Sequence, residues 1–185
     1  MQKNVNKIHN SCINIKNMQI RLAANLTEES IVDGEGIRTV IWTQGCPHHC
    51  KGCHNPETWN IEKGFLVDVK EVCEKIRSMS FQTGVTLSGG EPLIQIDACL
   101  EIAKYCQSLG LNVWCYTGYK MEELLIRANK ETNLKELLLN IDALVDGPFI
   151  QELKSYDVPF RGSSNQRIID SKKSIIENKV CEIQK

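Results

Sequence analysis

The amino-acid sequence predicts an α/β fold, an incomplete barrel or open sheet built on parallel strands. Three observations carry this. Short β-branched runs alternate with runs of helical period, the order that joins parallel strands through right-handed crossovers. At 185 residues the chain fits one domain but not the eight βα units of a closed barrel, which take about 250 residues. Each unusual loop follows a strand-like run, where parallel α/β folds keep their sites.

Residues 1–17 are polar and Asn-rich, without the apolar core of a signal peptide or the arginines of a transit peptide. They read as a flexible extension, leaving residues 18–185 as the single domain, with Met18 opening the first apolar run. IRTVIWTQ (37–44) is β-branched and aromatic and follows the Asp-Gly turn of VDGEG, so it reads as a strand. LVDVKEVCEKIRSM (66–79) places Val69, Val72, Cys73, Ile76 and Met79 at helical spacing. GVTLS (84–88) is a short buried strand, and IQIDACLEIAKYCQSLG (94–110) a helix stopped by Gly110. NVWCY (112–116) is a strand, MEELLIRAN and NLKELLLN are helices, and IDALVD (141–146) is the last strand. The cysteine run, SGGEP, YTGY and DGPF follow the four strands in turn, which puts them on one rim.

Charge and composition narrow the function. Lys and Arg number 22 against 23 Asp and Glu, so no concentrated positive surface is available for nucleic acid or anionic membrane. No apolar stretch approaches the roughly 20 residues of a membrane span. Nine cysteines without a secretory signal indicate a reducing compartment, the cytoplasm, and an odd count forbids complete pairing. Six are scattered: Cys12, Cys73, Cys99, Cys106, Cys115 and Cys181. Of these, Cys73, Cys99, Cys106 and Cys115 sit among apolar neighbours and read as small buried hydrophobes.

The other three are crowded. GCPHHCKGCHNPETW (45–59) holds Cys46, Cys50 and Cys53 as C-x3-C-x2-C, together with His48, His49 and His54. On a loop this spacing folds three thiolates around an iron–sulfur cluster or a zinc ion. Zinc needs a fourth ligand, which His48, His49 or His54 could supply, but His49 and His54 each adjoin a cysteine, and the paired knuckles of zinc modules are missing. A Cys50–Cys53 disulfide leaves Cys46 without a role. Three cysteines with no fourth nearby leave one iron of a four-iron cluster open, whereas ferredoxins close theirs with four.

C-x3-C-x2-C after the first strand resembles the signature of the radical S-adenosylmethionine enzymes, and SGGEP resembles that superfamily's GGE motif. Within it the chain is similar to the glycyl radical enzyme activating family, specifically to the members that act on anaerobic ribonucleoside-triphosphate reductase. The matching stretches are VDGEGIR (32–38), QGCPHHCKGCHNPETW (44–59), LSGGEPL (87–93), YTGY (116–119), LVDGPF (144–149) and FRGSSNQRI (160–168). Gly52 stands where the wider superfamily often has an aromatic residue, and Gly is the residue of this subfamily.

The resemblance implies an incomplete (βα) barrel of the radical S-adenosylmethionine type with a parallel sheet. It implies that Cys46, Cys50 and Cys53 each ligate one iron of a [4Fe–4S] cluster whose fourth iron is chelated by S-adenosyl-L-methionine. It places cofactor contacts at Gly52, Cys53, His54, Gly89, Gly90 and Glu91, with the paired glycines admitting backbone to the methionine end. Glu91 is expected to orient the cofactor's amino group or its supporting loop. One electron from the cluster would release methionine and a 5′-deoxyadenosyl radical. That radical would take a hydrogen atom from a glycine on the large subunit of anaerobic ribonucleoside-triphosphate reductase. No side chain is assigned a catalytic role, because the cofactor carries the chemistry. The implied electron donor is a flavodoxin or a ferredoxin. The alternatives are another glycyl radical enzyme such as pyruvate formate-lyase, a small-molecule substrate as in deazapurine synthesis, and a non-catalytic zinc or electron-transfer module.

The remaining motif residues read more plainly. His48 and His49 are expected on the loop surface, and Trp114 in the core. Asp146 ends an apolar strand, where a carboxylate is costly to bury unpaired; a hydroxyl or the partner's backbone is its expected ligand. RGSSNQR (161–167) is a solvated loop or, by the resemblance, a docking element.

Overall fold

The computed structural model describes residues 17–184. The expected N-terminal extension, with Cys12, therefore lies outside the described residues except for Asn17. In chain order the strands are β1 (Gln19–Leu22), β2 (Thr27–Ser30), β3 (Arg38–Thr43), β4 (Phe65–Asp68), β5 (Gly84–Gly89), β6 (Asn112–Tyr116), β7 (Ala143–Asp146) and β8 (Arg167–Asp170). The helices are α1 (Val69–Ser78), α2 (Ile96–Ser108), α3 (Met121–Ala128), α4 (Thr132–Leu139) and α5 (Ser171–Glu177).

All eight strands join one sheet in the order β4-β1-β3-β5-β6-β7-β8, with β2 also pairing with β3. The four strands read from sequence, β3, β5, β6 and β7, run parallel. The sheet is not parallel throughout, however. β1, β2 and β4 on one side and β8 on the other pair antiparallel. The sheet ends at β4 and β8 instead of closing, so the fold is an incomplete α/β barrel.

Local chemistry sets the boundaries. The helix expected over 66–79 starts only at Val69, because Phe65–Asp68 pairs residue for residue with β1 and Asp68 is the extended N-cap. The helix expected over 94–110 starts at Ile96, after a 3-10 turn at Pro92–Ile94. It stops where foreseen: Gly110 takes a positive φ of 76°, and the Leu111 amide bonds the Cys106 carbonyl at 3.0 Å.

Alternate residues of β6 divide the interior. Val113 and Cys115 face the main core, shared with α1 to α4, while Trp114 joins Ala143, Val145 and Ile168 on the other face. Cys73, Cys99, Cys106 and Cys115 are all at most 1% exposed, as their apolar neighbours led us to expect. Burial pushes the Cys99 thiol up to about 12 and raises Cys106 and Cys115 as well, which leaves them unreactive. Trp114 is a core residue and packs edge-on to Phe160.

Arg38 opens β3 fully buried, bonding Thr86 Oγ1, Asn112 Oδ1 and the carbonyls of Glu35 and Val85 at 2.6–2.9 Å. Desolvation lowers it to about 10, still protonated at neutral pH. Thr86 Oγ1 in turn donates to the Asp33 carbonyl at 2.7 Å. These bonds fix the VDGEG turn beneath the rim.

Candidate functional site

A cavity of about 300 Å³ opens at the carboxyl ends of the parallel strands. The loop after β3 contributes Cys46, Cys50 and Cys53 to its walls, and that after β5 contributes Gly89, Gly90 and Glu91. Thr117 and Gly118 come from the loop after β6, and Gly147 and Phe149 from the loop after β7. Asp33, His48, His54, Tyr116, Gly162 and Gln166 are among its other walls. The four loops therefore do meet on one rim. A larger open hollow of about 760 Å³ beside Met18 and Gln95 contains none of the cysteine run and none of Gly89, Gly90 and Glu91.

Main-chain bonds give the cysteine loop its shape. Gly45 and Cys46 donate to the Thr58 and Trp59 carbonyls at 2.7 and 3.2 Å. The Gln44 amide spans the loop's return, donating to the Glu57 and Asn60 carbonyls at 3.1 and 2.7 Å. The three thiols are free and half-buried. Desolvation raises Cys46 and Cys50 above the ordinary thiol value, although main-chain hydrogen bonds from His48 and Phe149 pull the other way. Among the described residues no three His, Cys, Asp or Glu side chains converge on one point as a single metal ion requires. Three soft thiols spread along one cavity wall suit ligands that each hold a different iron of one cluster.

The paired glycines are demanded by the chain itself. A Cβ on Gly89 would lie 2.6 Å from the Thr43 nitrogen, and one on Gly90 2.3 Å from the Gly45 carbonyl oxygen. This close approach lets Gly90 and Glu91 donate to the Thr43 and Gly45 carbonyls, each at 2.7 Å. The ends of β3 and β5 are thus sewn together at the cavity floor.

Glu91 is fully buried. It accepts from Leu93 N at 3.0 Å, Thr117 Oγ1 at 2.9 Å, Gly118 N at 2.8 Å and His48 Nε2 at 2.8 Å. Its carboxylate therefore ties three rim loops together. His48 is not on the loop surface, as expected from sequence: its side chain is 18% exposed and meets the Tyr119 ring edge-on at 4.6 Å. The imidazole gains a niche and a partner that the sequence does not announce. His49 is exposed as expected, tilted over Trp59 at 4.9 Å, and His54 is exposed against Phe149 at 4.8 Å. Gly52 is exposed with a φ of +72°, and Gln151 occupies the space a Cβ would need, 2.8 Å away.

Two further expectations are corrected. Among the described residues Asp146 meets no hydroxyl but groups of its own chain: it accepts from Met121 N at 2.8 Å and from Arg167 Nε at 3.0 Å. The same Arg167 reaches Glu122 at 2.8 and 2.9 Å, so the carboxylate is a structural post at the start of α3. The 161–167 stretch is not a solvated loop. Ser163 is buried, and Asn165 and Gln166 donate to the Pro148 and Gly147 carbonyls at 2.9 and 3.0 Å, bracing the loop after β7. Thr117, Gln166 and Asp33 also line the cavity; they lie in the YTGY, FRGSSNQRI and VDGEGIR stretches, but the sequence did not single them out as residues. A small polar residue directly after a strand was the available signal for Thr117.

Comparison with known proteins follows the same geometry. The family model described as a 4Fe-4S single cluster domain matches residues 32–169. The anaerobic ribonucleoside-triphosphate reductase-activating protein of Haemophilus influenzae is 33% identical over 148 residues, covering 75% of this chain and 90% of that protein. Its namesake in Escherichia coli K12 is 34% identical over 145 residues, covering 74% and 90%. That of Enterobacteria phage T4 is also 34% identical over 145 residues, covering 74% and 86%. Among solved structures, QueE from Escherichia coli is 18% identical with a TM-score of 0.49, over 58% of this chain and 56% of that one. Identity at this level, over about three quarters of this chain and 90% of those relatives, places the chain in their family: it belongs to the anaerobic ribonucleoside-triphosphate reductase-activating proteins and carries a 4Fe-4S single cluster domain.

Proposed function

We propose that this chain activates an anaerobic ribonucleoside-triphosphate reductase by generating a glycyl radical on its large subunit. The observation that carries the reading is the cavity wall of three free, half-buried thiols facing glycine-rich backbone. Cys46, Cys50 and Cys53 would hold a [4Fe–4S] cluster, with S-adenosylmethionine completing it. The chemistry supplied when both are bound is one-electron cleavage of the sulfonium and hydrogen-atom abstraction from the partner's glycine.

The chain's own residues orient and shield. Gly89 and Gly90 would present bare backbone to the amino-acid end of S-adenosylmethionine, with Glu91 fixing the loops around them. Cys53 and His54 line the same cavity, whereas Gly52 lies outside its lining, exposed against Gln151, and would act only through the turn it gives the loop. Phe149 and Tyr116 line the cavity and exclude water, so that a reactive carbon centre meets the intended C–H. No side chain here needs to act as acid, base or nucleophile.

A second hollow of about 470 Å³ shares Asp33, His54, Tyr116 and Gly162 with the cavity. Its apolar walls include Ile31, Val32 and Tyr156, which are 70%, 71% and 89% exposed. This continuity supports entry of the partner's glycine-bearing segment from that side. The exposed arc at Lys51 and Gly52 is the corresponding approach for an electron donor, a flavodoxin or a ferredoxin. Residues 18–185 act as one domain in this reading. No described helix is long and apolar enough to cross a membrane, and a thiol-rich site of this kind belongs in the reducing cytoplasm.

Metal analysis after anaerobic reconstitution tests the reading. It requires about four irons and four acid-labile sulfides per chain, lost in Cys50→Ser. One zinc per chain would overturn it.

A further inference from the structure

We infer that His48 is a positioning residue, holding the Cys46–Cys50 arc in the shape that receives the cluster through its hydrogen bond to Glu91. The inference rests on the reading of Cys46, Cys50 and Cys53 as cluster ligands. His48 is two residues from each of the first two cysteines, the midpoint of the arc. Of the loop's three histidines it alone is largely buried: His49 is exposed, and His54 lines the cavity from an exposed position.

The niche is made for an imidazole. A Cβ on Gly118 would fall 2.4 Å from His48 Cδ2 and 2.6 Å from Nε2, so only glycine leaves room for the ring. Tyr119 closes one side, edge-on at 4.6 Å. Glu91 Oε2 meets Nε2 at 2.8 Å. Leu93 N, Thr117 Oγ1 and Gly118 N also donate to this carboxylate, which accepts from all of them, so the ring gives its Nε2 proton. Each of those other donors is itself anchored in a rim loop. The ring therefore joins the middle of the cysteine arc to a rigid, fully buried post.

His49 turns the arc the opposite way. Its φ is +49°, and its own ring lies outward, tilted over Trp59. The arc is pinned from inside at His48 and from outside at His49, and the two flanking thiols present to the cavity between those pins. Pre-ordering the arc spares the ordering cost that ligation would otherwise meet. It also sets the angle between the thiols and the Gly89–Glu91 backbone, the two walls that would hold the cluster and S-adenosylmethionine.

The test compares His48→Ala, His48→Phe, which fills the niche without a donor, His48→Gln, whose amide keeps one, and Gly118→Ala, which expels the ring. Three quantities are read: thermal unfolding of the metal-free chain, loss of cluster iron to a chelator, and the electron paramagnetic resonance change on adding S-adenosylmethionine to the reduced cluster. We expect His48→Ala, His48→Phe and Gly118→Ala to lose iron about 10-fold faster or more, the usual range for a residue supporting a metal ligand. Their response to S-adenosylmethionine should be altered, and His48→Gln should restore both readouts. If His48→Phe retains iron and responds like the natural chain, the hydrogen bond is irrelevant and the inference is wrong. It is equally wrong if His48→Gln fails as badly as His48→Ala while remaining folded. A natural chain that takes up no cluster overturns the cysteine assignment, and a loaded natural chain separates that failure from this one.

Discussion

At the residue scale the site depends on groups with no freedom to change. Asp146 is 1% exposed and its charge is met by Arg167 and the Met121 amide. Truncating one partner of such a pair strands the other, so Asp146→Ala should cost about 3–5 kcal/mol in urea unfolding of the metal-free chain. Gly90→Ala forces a methyl against the Gly45 carbonyl, which should cost about 1–3 kcal/mol and weaken S-adenosylmethionine binding by calorimetry. Arg167 also holds the Glu122 carboxyl down at about 2, from an ordinary 4.5. A depressed carboxylate stabilises above its unfolded value and loses that contribution as pH falls toward the folded one. The stability gap between the natural chain and Glu122→Gln should therefore close between about pH 4.5 and 2. Because the Glu122 side chain is 54% exposed, that gap should stay below about 1 kcal/mol. Cysteines and paired glycines were legible in the sequence because soft ligands and bare backbone are rare in such density. His48 was not, because its partner lies 43 positions away and only the folded rim brings them together.

At the element scale, the four parallel strands could be read because each is an apolar run buried on both faces. The edges could not. β2 is TEES, without an apolar residue, and β4 exposes Phe65 and Leu66 at 41% and 51%, so neither has a buried pattern. Both exist by pairing, with β3 and β1 respectively. β8 was hidden at the end of a polar motif: Arg167 and Ile168, the last residues of FRGSSNQRI, open the strand RIID that pairs with β7. Among the helices, α2 carries the deepest apolar face, with Ile102, Ala103 and Cys106 fully buried. Ile102→Ala should cost about 2–5 kcal/mol in the same urea assay. Because α2 lies beneath the sheet and not on its rim, the iron content of whatever fraction remains folded should be unchanged.

At the scale of the whole molecule, an incomplete barrel explains how a radical can be made in a shielded cavity and still reach another protein. The cavity and the adjoining cleft share Asp33, His54, Tyr116 and Gly162, so a partner segment in the cleft would close the cavity as it enters. Replacing Val32 with Asp puts a charge on that apolar wall. It should weaken activation of the reductase at least about 10-fold while leaving the iron content intact, as truncation of an interface anchor does. The most direct measurement is an electron paramagnetic resonance spectrum of the reductase after anaerobic mixing with the reduced, cluster-loaded chain and S-adenosylmethionine. An organic doublet on the reductase, accompanied by 5′-deoxyadenosine and absent with Cys50→Ser, is the expected result. A chain with its full complement of iron and sulfide that yields neither the doublet nor 5′-deoxyadenosine would contradict it, and would make this protein an electron carrier.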